Sequence, residues 1–271
     1  MIRPLQSGPT LLDDVRSADR GALNLWWLGQ SGFLVAWQGW HLLLDPYLSD
    51  SLTHKYAETD KPHERMTELV VDPAELGFVD VVTASHAHTD HLDPDTLRAL
   101  PGAEIVAPAA HRELVIERAG RAPVGIDAGQ TVEIAGFAIT AVPAAHEAIE
   151  RDAAGRMLHL GYVVRCGPFS LYHAGDTIPY DGMAERIPAV DVALLPINGR
   201  RPERRVAGNL WGDEAAALAH AVGARLAVPM HYEMFGFNTE PPDAFAAACE
   251  RLGQPYRVLR AGERLTLAQP D

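Results

Sequence analysis

Cysteine, lysine and long apolar runs are what this sequence has least of. Its 271 residues include two cysteines, Cys166 and Cys249, far apart and neither in a Cys-x-x-Cys pair nor beside a histidine cluster. That argues against a disulfide framework or a thiolate metal site and reads as two buried free thiols. Only Lys55 and Lys61 are lysines among the 23 basic residues, a bias towards arginine to which no function attaches. With 36 acidic side chains the formal charge is −13, and a phosphate backbone calls for a basic surface, so the balance argues against a nucleic-acid partner. No apolar run reaches the roughly 18–20 residues that cross a bilayer. Met1 to Pro9 lacks a hydrophobic signal region, so the expectation is a cytoplasmic chain with no membrane partner.

What is present is ordinary globular material, 47% hydrophobic and 22% charged, enough for a sizeable core. The length suits a single domain over residues 1–271. Residues 51–71 are polar and without clean periodicity. They read as an insertion that shapes a substrate pocket or as a solvated surface excursion, and His54 and His63 within them stay unassigned.

The chemistry concentrates in Ser85-His86-Ala87-His88-Thr89-Asp90-His91, directly after the mostly apolar Val79 to Ala84. Three imidazoles and a carboxylate so close together compete for protons unless a cation lies among them. His86 and His88, two apart, project to one side of extended chain, whereas a helical metal pair is spaced by three or four. Asp93 is placed to cap a helix over Pro94 to Leu100, so the cluster occupies a strand-to-helix connection, where sheet enzymes carry their sites.

Upstream, a short helix is expected within Thr10 to Arg20 and hairpin strands over Leu23–Leu28, Gly32–Trp37 and His41–Leu44. Downstream come strand 104–107, helix 109–119, and the hairpins 130–135/137–142 and 158–165/169–173. Strand 190–195, helix 213–222, strand 225–229, a helix near 242–252 and strands near 256–259 and 263–267 follow. His146, Asp176 and His231 each come one to four residues after one of these strands, as the cluster does. His173 reads as a donor that orients the site or as a buried structural histidine, and His111 as a surface or capping residue. Glu147 and Tyr232 lie beside expected ligands, although neighbours on extended chain point apart. Trp37, Trp40 and Trp211 are expected at the surface, lining a pocket or the interface of a homo-oligomer.

As it stands, His-x-His-x-Asp-His resembles the signature of the metallo-β-lactamase superfamily. Trp27-Leu28-Gly29-Gln30-Ser31-Gly32-Phe33 and Leu44-Asp45-Pro46-Tyr47-Leu48-Ser49-Asp50 resemble the opening of its L-ascorbate-6-phosphate lactonase-like branch. The resemblance implies an α/β (α+β) fold, a four-layer αββα sandwich with a dinuclear metal site at one edge of its sheets. It assigns His86, His88 and His146 to one metal and Asp90, His91 and His231 to the other, with Asp176 bridging. Asp90, Asp176 and His231 double as catalytic residues. Donors of nitrogen and carboxylate type suit zinc, manganese or iron. The branch implies manganese and the wider superfamily zinc.

Four arginines gather at Arg200, Arg201, Arg204 and Arg205, fitting either an anionic substrate or a solvated charged loop. Ile197-Asn198-Gly199-Arg200, Gly208-Asn209 and His231-Tyr232-Glu233-Met234-Phe235 resemble lactonase segments, which favours the substrate. Arg200, Asn198, Asn209 and Tyr232 are therefore the expected substrate contacts. The resulting expectation is a hydrolase that opens a small anionic or sugar-phosphate lactone with metal-held hydroxide. The alternatives are a phosphodiesterase for small or lipid phosphodiesters and a non-catalytic metal-binding regulatory protein; the undegraded ligand set argues against the latter.

Overall fold

A computed structural model describes residues 1–268. Two sheets face each other. The first runs in the order β13(Arg264–Leu267), β1(Leu23–Gly29), β2(Gly32–Trp37), β3(Trp40–Leu44), β4(Val81–Thr83), β5(Glu104–Pro108), β6(Val124–Ile126). The second runs β12(Leu226–Met230), β11(Val192–Pro196), β10(Phe169–His173), β9(Leu160–Cys166), β8(Phe137–Pro143), β7(Thr131–Ile134). Each has an antiparallel part followed by parallel strands, β3 to β6 in one and β10 to β12 in the other. Parallel strands bury both faces, and β4 and β11 are buried along their whole length, as are the antiparallel β1 and β2 in the interior of the first sheet.

Between the sheets, Trp37 of β2 meets Phe169 of β10 edge-on at 5.1 Å, and Phe33 meets His173 at 6.4 Å. Outside them, α3(Pro94–Ala99) packs on α4(Arg112–Ala119), which touches β5. On the other face α5(Gly212–Ala221) packs on α6(Asp243–Leu252) and covers β11 and β12. The order of layers is the expected αββα. One apolar cluster extends from Leu11 in α1(Gly8–Ser17) to Leu265 in β13. Each fully buried large side chain, Trp26 and Phe33 among them, contributes about 1.5–3 kcal/mol. No helix among the described residues is long and apolar enough to cross a membrane.

The structure corrects three local expectations and adds one strand. Tyr256–Leu259 is not a strand: Tyr256 makes a single bridge to Ala227, and Pro255 has no N–H with which to lengthen it. Residues 109–111 form a 3-10 turn before α4, and Gly120 ends that helix at φ +72°. The three-residue strand β6 is too short to leave a periodic signal. Trp37 is buried against Phe169, whereas Trp40 is exposed.

Candidate metal centre

The carboxyl ends of the strands converge as the spacing implied. β4 ends beneath Ser85, and residues 85–92 turn tightly, with the Leu92 N–H donating to the His88 carbonyl at 2.8 Å. Arg118 of α4 clamps this turn, donating from Nη1 to the carbonyls of Ala87 and Leu92 at 2.7 and 3.0 Å. Asp93 caps α3 by accepting from the Asp95 N–H. Strands β8, β10 and β12 deliver His146, Asp176 and His231 to the same edge.

Two groups of donors result. His86, His88, His146 and Asp176 present one atom each within 4.8 Å of one another, and so do Asp90, His91 and His231. Asp176 adjoins both groups: its carboxylate is 3.5 Å from His146 Nε2 and 3.3 Å from both His91 Nε2 and His231 Nε2.

The outer nitrogens explain why the inner ones face inward. His91 Nδ1 donates to Asp45 Oδ2 at 2.7 Å, and His146 Nδ1 donates to the Gly208 carbonyl at 3.0 Å, so Nε2 is the nitrogen each ring turns to the centre. His86 Nδ1 is 3.0 Å from Ser85 Oγ. His86 Nε2, His91 Nε2 and Asp176 Oδ1 are buried without any hydrogen-bond partner, which is costly unless a cation satisfies them. This donor set fits divalent metal.

Charge follows the same division. Burial and neighbouring imidazoles hold His86 well below its ordinary pKa, and burial also lowers His146. Burial works against charge on His231, but Asp176 and Asp90 outweigh it and raise its pKa to about 9; Asp176 and Asp90 likewise raise His91. The two carboxylates are lowered in return, burial being overcome by His231 and His91. Without a cation the second group therefore carries protons that a metal must displace.

Asp45 was missed as a site residue although it follows β3 in the quoted opening. It is wholly buried, has φ +41°, and accepts from the Ser85 N–H at 3.0 Å, from Ser85 Oγ and from His91. His159 was also missed; its ring centroid lies 5.4 Å from that of His86, and burial with nearby histidines pushes its pKa down to about 4. Neither carries a spacing signal. His173 is buried and structural in its contacts: Nε2 donates to the Ser31 carbonyl at 2.8 Å while Nδ1 accepts from the Gly175 N–H at 3.2 Å. His111 Nε2 donates to the Leu158 carbonyl at 2.8 Å.

The expected substrate contacts lie elsewhere. Arg200 forms a two-pronged pair with Glu214, both contacts at 2.6 Å, and does not line the cavity over the donors. Arg201 and Arg204 pair with Glu240, and Arg205 with Asp60. Asn198 and Asn209 are buried and bonded to each other at 2.9 Å, and Asn209 Oδ1 accepts from the Thr177 N–H at 2.7 Å. They brace the turn that carries Asp176. Tyr232 is buried against Trp27, with ring centroids 4.5 Å apart, and its hydroxyl donates to the Leu259 carbonyl at 2.6 Å.

The cavity itself, about 280 Å³, has donor side chains at its floor and Leu52, Tyr56, His63, Phe235, Phe237 and Arg118 on its walls. Residues 51–71 thus supply part of the wall, including the helix α2(Ser51–Tyr56), rather than a detached excursion. The His63 ring stacks on Tyr56 at 4.3 Å and meets Phe237 edge-on at 4.7 Å.

Sandwich and donor set define a class, and sequence comparison agrees: residues 41–232 match the β-lactamase superfamily domain, and the chain belongs to that family. Within it the chain groups with the UPF0173 metal-dependent hydrolases. That of Opitutus terrae is 33% identical over 90% of this chain and 99% of its own length, and that of Methanopyrus kandleri 30% identical over 88% and 96%. Among solved structures, the metallo hydrolase Igni18 of Ignicoccus hospitalis superposes with a TM-score of 0.67 at 24% identity, covering 92% of this chain and all of its own. An isothiocyanate hydrolase from Delia radicum gut bacteria reaches 0.74 at 17% identity, covering 90% and 99%. At such identities these two likenesses speak for the fold alone.

Proposed function

We propose that this chain is a dinuclear metal-dependent hydrolase that opens small anionic lactones. The observation that carries the reading is the position of Asp176, whose one carboxylate reaches ligand nitrogens of both donor groups at 3.3–3.5 Å. His86, His88 and His146 would hold one divalent ion, Asp90, His91 and His231 a second, and Asp176 would join them. Such a pair, when bound, lowers the pKa of a shared water from ~15.7 towards ~7 and polarises the oxygen of the bond to be cleaved. In ring opening the acyl carbon gains the hydroxyl, the acyl C–O bond breaks and the ring oxygen leaves as an alcohol.

The chain's own residues prepare that step. Asp45 and the Gly208 carbonyl keep two imidazoles in the tautomer that faces the centre. Tyr56, His63, Phe235 and Phe237 exclude water on one side and offer apolar surface to a substrate ring. Arg118 takes over the anion role expected of Arg200. It lines the cavity, and among the described residues no carboxylate pairs with it. One guanidinium nitrogen steadies the metal turn, which leaves the others for a carboxylate or phosphate.

The test is metal-loaded protein assayed on lactones, phosphodiesters and thioesters, with manganese and with zinc. Turnover of carboxylated or phosphorylated lactones, lost in Asp176→Ala along with bound metal, is the expected result. Turnover of phosphodiesters alone, or an Asp176→Ala variant as active as the wild type, would overturn the reading.

A further inference from the structure

Gln30 occupies the turn between β1 and β2, 1% exposed, with φ +51°, a conformation that costs energy for any residue with a β-carbon. Its carbonyl accepts from the His231 N–H at 2.9 Å and from Trp27 Nε1 at 3.0 Å, which fixes the residue against the second donor group. The side-chain NH2 then donates to Asp90 Oδ2 at 2.7 Å and lies 3.1 Å from His231 Nε2. Ligand atoms about 2.0–2.2 Å from one cation are themselves roughly 3–3.5 Å apart. The 3.1 Å to His231 Nε2 and the 3.5 Å from Asp90 Oδ2 to His231 Nε2 fall in that range, the 3.7 Å from Asp90 Oδ2 to His91 Nε2 lies just beyond it, and the 2.7 Å contact is a hydrogen bond.

An amide has two ends of equal shape and opposite polarity. With its NH2 end towards Asp90 and His231, as here, it donates to the carboxylate and offers no lone pair to a cation. With its oxygen there it is repelled by the Asp90 carboxylate, unless positive charge lies among the three. We propose that Gln30 is an eighth ligand of the centre: its amide oxygen binds the cation held by Asp90, His91 and His231, and its NH2 end turns to the Asp90 carboxylate when that cation leaves. The inference rests on the paired centre proposed above. An amide oxygen is a hard donor, so it biases this position towards manganese over zinc.

The experiment titrates metal-stripped protein with Co2+ and with Mn2+, following both binding and the visible absorption of bound cobalt. Wild type takes up two ions. Gln30→Leu weakens the second by about 10- to 100-fold and changes the cobalt absorption of that position, whereas Gln30→Glu, which keeps an oxygen there, retains it. Gln30→Asn, whose amide is drawn back by one methylene, makes the same comparison should the leucine variant not fold; thermal unfolding of each variant decides which is used. A folded leucine or asparagine variant with wild-type affinity and absorption overturns the ligand role and leaves the paired centre standing. Wild-type protein that takes up one ion or none overturns both.

Discussion

Replacing Asp45 by asparagine changes one charge and almost no volume, so it separates orientation from packing. Its carboxylate accepts four hydrogen bonds, from the Ser85 N–H and Oγ, from His91 Nδ1 and, at 3.4 Å, from Thr83 Oγ1. An asparagine oxygen can keep the Ser85 N–H, but its NH2 end then faces His91 Nδ1 and donates to it. The ring proton moves to Nε2, the nitrogen 3.3 Å from Asp176 Oδ1, and the lone pair needed for metal is gone. Outer partners of metal-bound histidines are worth about 10- to 100-fold in affinity, or ~1.4–2.8 kcal/mol. The fold loses less: a charge-assisted bond of ~1.5–3 kcal/mol becomes a neutral one of ~0.5–1.5. The expected outcome is a variant that melts only a few degrees lower yet binds metal far more weakly. Isothermal titration of the stripped protein with Mn2+, paired with calorimetric unfolding, measures both. Asp45→Asn with wild-type metal affinity would refute the orientation argument.

Three further outcomes follow from the same geometry. With its pKa raised from 6.5 to about 9, His231 is protonated at neutral pH in metal-free protein; its contribution to stability is therefore full below 6.5 and lost as pH rises through about 9, while metal affinity rises over that window because fewer protons must be displaced. Titrations in buffers of different ionisation enthalpy should show proton release, and its absence at pH 7 would contradict the sign. Gly175→Ala should destabilise by roughly 2–5 kcal/mol, since the added carbon meets the Leu160 carbonyl and Ser85 Cβ at 2.7 Å in a residue at φ +61°; urea unfolding at wild-type stability would show that the turn relaxes. Tyr232→Phe should cost about 0.5–1.5 kcal/mol from the lost bond to Leu259 and leave kcat/KM unchanged; a fall in kcat/KM without a change in unfolding would return Tyr232 to the substrate.

The donors were legible because metal chemistry demands particular residue types at fixed places. His86 to His91 declare themselves by crowding, and His146, Asp176 and His231 by each following an apolar strand. The strands were legible where hairpins alternate with glycine turns, as around Gly136 and Gly167. Asp45, Gln30 and Arg118 were not, because each reaches its partner across the fold: Gln30 is 60 positions from Asp90, and Asp45 is 46 from His91. The arginine loop misled for the converse reason. Its charges are obvious in the sequence, but the acids that neutralise them, Glu214, Glu240 and Asp60, lie outside the loop, Asp60 on the far side of the site's other segments in sequence.

The wall above the donors has an apolar nucleus of its own. Tyr47, Leu52, Met234 and Phe235 form a cluster separate from the main core, with Tyr56 and Phe237 packed on it, and Arg65 ties it down through Asp50 and the Ser49 carbonyl. Variation there can recut the mouth of the enzyme while the sandwich and its ligand-bearing turns stay intact. Lineages built on this scaffold are thus free to exchange one clientele of substrates for another without relearning how to fold.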